Sequence, residues 1–405
     1  MKDKIFAEID AMKDEMLATL SEMVAIPSVN PTEGGTGEKA RAEYLIGKVK
    51  ELGLGEAENY VCIDPDGNER PNLVVKIPGE TSQRLWIVSH MDIVPPGELS
   101  LWESDPYKAE LRGDKLYGRG TSDNGTSLVA SIYTALAFKK LGIKPKYEIC
   151  LCFVANEETG SMYGIQHLIK QDIFRPDDLV IVPDMTSTDG SFIEIAEKSI
   201  FWLEFTLEGK QTHASLPQLG NNAARAANEF SCALDNALHE AFPETNDVFN
   251  DPKCSTFEPT RRRENVGSIN IVPGVETFAF DCRVLPGITI EEFEKVVNKE
   301  KTDAEKKFGV KISYKYMQKE AAAPVTSPEA PVVRLLADAV KDVLGVQPQI
   351  AGVGGGTCGA FFRKIGIPSA VWGLGDEVAH MPNEYTKISD LLGSSKVLAH
   401  MLMNK

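Results

Sequence analysis

Between residues 30 and 196, short apolar runs alternate with segments of helical periodicity, and no other feature restricts the possible folds as much. Leu85-Trp86-Ile87-Val88-Ser89, residues 148–154 and Leu179-Val180-Ile181-Val182 read as buried strands. Residues 124–141 and 161–171 read as the helices between them. Apolar strands separated by helices belong to an α/β sheet with much parallel pairing and helices on both faces.

Around residue 199 the pattern changes. Phe201, Leu203, Phe205 and Leu207 alternate with Trp202, Glu204, Thr206 and Glu208, as in a strand with one buried face. An alanine-rich helix follows at 221–240, then strands at 267–271 and 276–284. A helix opening on the capping-box spacing Thr289-x-x-Glu292 and a strand at 309–317 complete the series. The order β-α-β-β-α-β is that of a split βαβ, ferredoxin-like α+β domain. Ala321-Ala322-Ala323-Pro324 then leads back to α/β pattern. The expected organisation is a larger domain of residues 1–198 and 318–405, interrupted by a smaller one of residues 199–317. A chain of 405 residues exceeds what one core usually supports, which agrees with two domains.

The formal charge of −16 argues against nucleic acid or an anionic membrane surface as partner, since phosphate would be repelled. No apolar stretch approaches the ~20 residues of a membrane span. Near the N-terminus Ile5, Phe6, Ile9, Met12, Met16, Leu20 and Met23 recur at helical spacing, as in an amphipathic helix rather than a signal peptide. The seven cysteines are odd in number and scattered, and Cys150 and Cys152 share one face of a strand. That usage points to a reducing, cytoplasmic setting.

Acidic and imidazole side chains gather where strands end, the ligand-binding edge of an open α/β sheet. Strand 85–89 runs into His90-Met91-Asp92, which places Asp92 to accept the second N–H of a metal-bound His90. Asp123 closes the loop Gly118-Arg119-Gly120-Thr121-Ser122-Asp123 before a helix. A dinucleotide fingerprint needs a third glycine where Asp123 stands, which weighs against a nucleotide-binding dehydrogenase. Strand 148–154 leads into Asn156-Glu157-Glu158, strand 179–182 into Pro183-Asp184, and His380 follows the strand-like Ala370-Val371-Trp372. His90, His380, Glu158 and Asp184 as terminal ligands and Asp123 as a bridge would hold two divalent ions. Three carboxylates and a hydroxide would balance their charge. Glu157 is left free to take the proton from a water between the ions, a catalytic use that a silent metal-binding protein would not need. Mixed imidazole and carboxylate ligation fits zinc first, with cobalt or manganese as alternatives.

The chain resembles the dinuclear zinc hydrolases that include acetylornithine deacetylase, succinyl-diaminopimelate desuccinylase, aminoacylase, carnosinase and glutamate carboxypeptidase. The matching strings run from Ser89-His90-Met91-Asp92 through Trp102–Tyr107 (WESDPY), Leu116–Asp123 (LYGRGTSD) and Asn156–Gly160 (NEETG). Thr212–Pro217 (THASLP), Asn270–Gly274 (NIVPG), Asp281–Gly287 (DCRVLPG), Gly355–Thr357 (GGT) and His380–Tyr385 (HMPNEY) follow in order. The resemblance implies a zinc-exopeptidase-like catalytic domain interrupted by a lid and dimerisation domain, hence a homodimer. It puts His90 and Asp184 on one metal, Glu158 and His380 on the other, Asp123 between them, and Glu157 as base.

It also implies that His213 stabilises the oxyanion, often in the partner subunit's site, and that Arg283 grips a substrate carboxylate. Asn270, Gly356 and Thr357 are expected as further substrate contacts. Glycines 352, 354, 355, 356 and 359 present backbone N–H groups suited to a substrate anion. Many relatives carry Asp after Gly-Gly-Thr, where this chain has Cys358. The expected substrate is a small dipeptide or N-acyl amino acid with a free carboxylate, with succinyl-diaminopimelate and acetylornithine as the biosynthetic alternatives.

Overall fold

The computed structural model describes residues 1–250 and 252–403. They form two compact units: Met1–Ile195 with Thr326–Ile350 and residues from Thr357 onward, and Ala196–Val325 with Ala351–Gly356.

The first unit holds all of an eight-stranded mixed sheet but the ends of its last two strands, Ala196–Glu197 and Ala351–Val353. Its order is Glu58–Asn59, Leu73–Ile77, Glu148–Val154, Arg84–His90, Leu179–Val182, Ser369–Val371, Phe192–Glu197 and Gln349–Val353. Arg84–His90 pairs in parallel with both Glu148–Val154 and Leu179–Val182, and Leu179–Val182 in parallel with Ser369–Val371. Leu73–Ile77 and Phe192–Glu197 run antiparallel to their neighbours. Trp86, Val88, Cys150, Cys152, Val180 and Val182 share one face and pack with Ile165, Leu168 and Phe362. The opposite residues Leu85, Ile87, Ile149, Leu151 and Ile181 are equally buried, which is why these strands read as apolar throughout. The helix Ser127–Lys140 is buried without a break from Ser127 to Phe138, as befits a helix apolar all round.

Some boundaries differ from expectation. The helix expected at 124–141 begins at Ser127, because Asp123 and Asn124 keep non-helical backbone angles. The helix expected at 161–171 shortens to Ile165–Ile169. The N-terminal helix is two, Lys2–Ala11 and Lys13–Val24, with the expected apolar face buried apart from the half-buried Phe6.

The second unit is a four-stranded antiparallel sheet ordered Thr256–Arg262, Val275–Val284, Ser199–Glu208, Lys311–Glu320. Phe201, Leu203, Phe205 and Leu207 join Phe278, Phe280 and Cys282 in one core with helices Ala223–Ala241 and Ile290–Phe308. Both arms of the Thr289/Glu292 capping box are made. The β-α-β-β-α-β order is present, but its third element is Thr256–Arg262 rather than 267–271. That strand is an edge whose only buried residue is Phe257, so it lacked the apolar signal of its neighbours. Of 267–271, only Ile271 enters a strand, the two-residue Ile271–Val272, which pairs with Thr212–His213.

A candidate dinuclear metal centre

Strand ends deliver the ligands. His90 is the last residue of its strand and is buried. Its Nε2 lies 2.8 Å from Asp123 Oδ1 and 3.3 Å from Asp184 Oδ1. The other oxygen of Asp123 lies 3.1 Å from His380 Nε2, which is 3.0 Å from Glu158 Oε2. Asp123 therefore divides its carboxylate between two imidazoles, each joined to one further carboxylate. Donor atoms of His90, Asp123 and Glu158 lie within 4.8 Å of one another, as do those of His90, Glu157 and Asp184. The structure thus gathers His90, Asp123, Glu157, Glu158, Asp184 and His380. These donors fit divalent ions, and Glu158 Oε1 adds a sign of its own. It is buried without a hydrogen-bond partner, as an acceptor reserved for a cation would be.

The arrangement is electrostatically strained without cations. Burial pushes the Glu158 carboxyl up to about 7, with the Asp123 charge adding to it. Burial and then the Asp184 charge hold Glu157 well above the ordinary carboxylate range. Burial alone would lower His90, but the charges of Asp184 and Asp123 outweigh it and raise the imidazole well above its usual value. Hydrogen bonds that His380 donates to the Asp123 and Glu158 carboxylates lift it to about 10.

Asp92 departs from expectation. His90 Nδ1 meets the Asp92 main-chain carbonyl at 3.0 Å, while the carboxylate stands 3.6 Å away. The carboxylate instead accepts the backbone N–H groups of Glu157 at 3.0 Å and Glu158 at 3.1 Å. It fixes the turn that carries both glutamates, a turn opened by Asn156 at φ 62. Asn124, which the sequence did not single out, donates to Asp184 Oδ1 at 2.6 Å. Beside the cluster a cavity of about 400 Å³ is lined by Asp123, Asp184, Met185, Glu377 and Met381.

The other expected contacts divide between the two units. In the second unit His213 is exposed, its Nδ1 2.7 Å from Ser215 Oγ. Asn270, also exposed, flanks it through an Ala214 N–H to Asn270 O bond of 2.8 Å. Arg283 forms a fork with Asp281 at 2.7 and 3.0 Å, donates to the Gly354 carbonyl at 2.9 Å and lies over the Trp202 ring. Gly356 is exposed. In the first unit Thr357 Oγ1 accepts the Gly359 N–H at 3.1 Å. The Gly352 N–H is bonded to Val248 O at 2.6 Å, so neither Gly352 nor Gly359 keeps a free donor for an anion. Cys358 is a core residue beside Phe362 and Val371, its Sγ 3.8 Å from Ser161 Oγ.

Fold and site define a metal-dependent hydrolase of amide bonds. Residues 86–404 match the model of peptidase family M20/M25/M40, and the chain belongs to that family. An uncharacterised metallohydrolase of Methanococcus maripaludis is 40% identical over 96% of this chain and 99% of its own length. A succinyl-diaminopimelate desuccinylase of Acinetobacter baylyi is 27% identical over 75% of this chain and 78% of its own. The dipeptidase Dug1p of Saccharomyces cerevisiae has the same fold, with a TM-score of 0.79 at 18% identity over 99% of this chain and 98% of that one. Among the described residues no helix is long and apolar enough to cross a membrane.

Proposed function

We propose that the chain hydrolyses the amide bond of a small dipeptide or N-acyl amino acid that carries a free carboxylate. The division of Asp123 between His90 and His380, with Glu157 standing by, carries this reading. His90 and Asp184 would hold one divalent ion and His380 and Glu158 the other, with Asp123 available to both; zinc would suit these donors best. Such ions polarise a carbonyl and make a bound water more acidic. Glu157 takes the proton of the attacking water and returns it to the nitrogen as the C–N bond breaks. Asp92 keeps Glu157 aimed by holding its N–H. His213 donates to the oxygen that gains charge, acting from one subunit of a dimer on the other. Arg283 binds the substrate carboxylate by the guanidinium edge that Asp281 leaves free, and Asn270, Gly356 and Thr357 are further candidate substrate contacts.

The likeness to the Acinetobacter baylyi desuccinylase supports a biosynthetic N-acyl substrate as the second reading. The seven free cysteines support a cytoplasmic setting. Exhaustive chelation is expected to abolish hydrolysis and zinc or cobalt to restore it. Dipeptides, acetyl amino acids and succinyl-diaminopimelate, assayed on metal-loaded protein, separate the substrate classes. Full activity with metal content near zero would overturn the reading.

A further inference from the structure

We infer that Glu384 is the positioning residue of the metal centre, locking Asp123 in place and tying it to His380. Glu384 is fully buried and uses both oxygens. Oε1 accepts the backbone N–H groups of Ser122 at 2.8 Å and Asp123 at 3.0 Å. Oε2 accepts the Gly120 N–H at 3.0 Å and Arg119 Nη1 at 2.7 Å. A buried carboxylate is costly unless its acceptor sites are filled, and four donors including a cation fill them. The loop can aim three N–H groups inward because Gly118 and Gly120 take φ of 154° and 80°. A Cβ at Gly120 would come within 2.6 Å of Ile93.

The same segment is laced on either side. Gly118 N donates to Glu384 O at 2.9 Å, Arg119 lies 5.2 Å from the Trp102 ring centroid, and Asn383 Oδ1 accepts the Glu103 N–H at 2.7 Å. Three separate strings of the sequence thus meet around Glu384. A circuit results: Asp123 Oδ2 faces His380, four residues on stands Glu384, and Glu384 holds the Asp123 backbone. Glu384 touches no candidate ligand atom. Its Arg119 partner cancels its charge, so its contribution is geometric: it sets the angle at which Asp123 splits its oxygens.

The inference rests on the two-ion reading, and the test keeps the two apart. Zinc is titrated against a competing chelator into metal-free Glu384→Gln and Glu384→Asp, with Asp178→Asn as the control. Asp178 is a buried carboxylate of the same unit whose partners are Trp86 and Arg175. The expected result is a 10–100-fold loss of zinc affinity in both Glu384 variants, the usual effect of removing a ligand's support. The control should lose thermal stability and keep its affinity within about twofold, since it supports no ligand. Where a variant is unfolded without metal, the zinc midpoint of refolding reads the same affinity. Parental affinity in the Glu384 variants overturns the inference. So does failure of Glu384→Asp to refold at any zinc concentration, which would assign the residue to the fold alone. A parent that binds fewer than two ions would instead overturn the two-ion reading.

Discussion

Glu38 and Arg70 form a doubly hydrogen-bonded ion pair, at 2.8 and 2.6 Å, with neither side chain reaching solvent. Glu38 Oε1 also accepts the Asn156 N–H at 3.1 Å, one residue before the glutamate turn. Arg70→Met would strand a buried carboxylate, which costs about 3–5 kcal/mol. The denaturant midpoint should fall accordingly; an unchanged midpoint would mean that Glu38 finds another cation.

Glu157→Gln should retain both metals while kcat falls by about 10²–10⁴, the usual worth of a general base. Glu158→Gln should instead lose metal, because Glu158 contacts His380 directly. Elemental analysis showing the reverse pattern would exchange the two roles.

Metal loading should release protons. In the metal-free protein His380 is held up to about 10, so it is protonated at pH 7, and the charges of Asp184 and Asp123 raise His90 in the same direction. His380 must shed that proton to ligate, as must any proton held on His90 or on Glu158, whose carboxyl is pushed up to about 7, giving on the order of one proton or more per chain. Affinity should therefore weaken as pH falls. Calorimetry in buffers of different ionisation enthalpy reads the number; a binding heat independent of buffer would remove the histidines from the ligand set.

Arg283→Lys should raise KM by about tenfold or more, since a point charge cannot replace a planar pair of donors. Substrates with an amidated C-terminus should be poor for the parent. Equal turnover of free and amidated substrates would end the carboxylate role. Asp281→Asn should also raise KM, because Asp281 orients the guanidinium through two hydrogen bonds.

Mixing inactive Glu157→Gln chains with inactive His213→Ala chains should restore activity if His213 serves its partner's site. In such a mixed dimer one site has both groups intact. No recovery despite demonstrated subunit exchange would confine His213 to its own chain or remove it from the reaction.

His90, Asp123, Glu158 and Asp184 could be read in the sequence because each follows a strand or precedes a helix, where a polar residue interrupts an apolar pattern, whereas His380 lies in a turn between Ser369–Val371 and Tyr385–Lys387 and was legible from its HMPNEY string. Glu384 and Glu38 could not be read in this way. A buried carboxylate looks like a solvated one until its donors are known, and those of Glu384 come mostly from backbone about 260 residues away. The buried strands were legible from continuous apolarity, whereas the edge Thr256–Arg262, with five of its seven residues exposed, was not. Asp92 illustrates a third limit: the residue was legible, but which of its oxygens serves which neighbour depends on the path of the chain.

The helix Ser127–Lys140, buried from Ser127 to Phe138, begins four residues after Asp123. Amides so enclosed exchange with deuterium only when the surrounding unit opens as a whole. Asp123 is thereby moored to a stretch expected to be among the last of its unit to exchange. A metal ion returning after loss should then meet an Asp123 whose backbone needs no rebuilding.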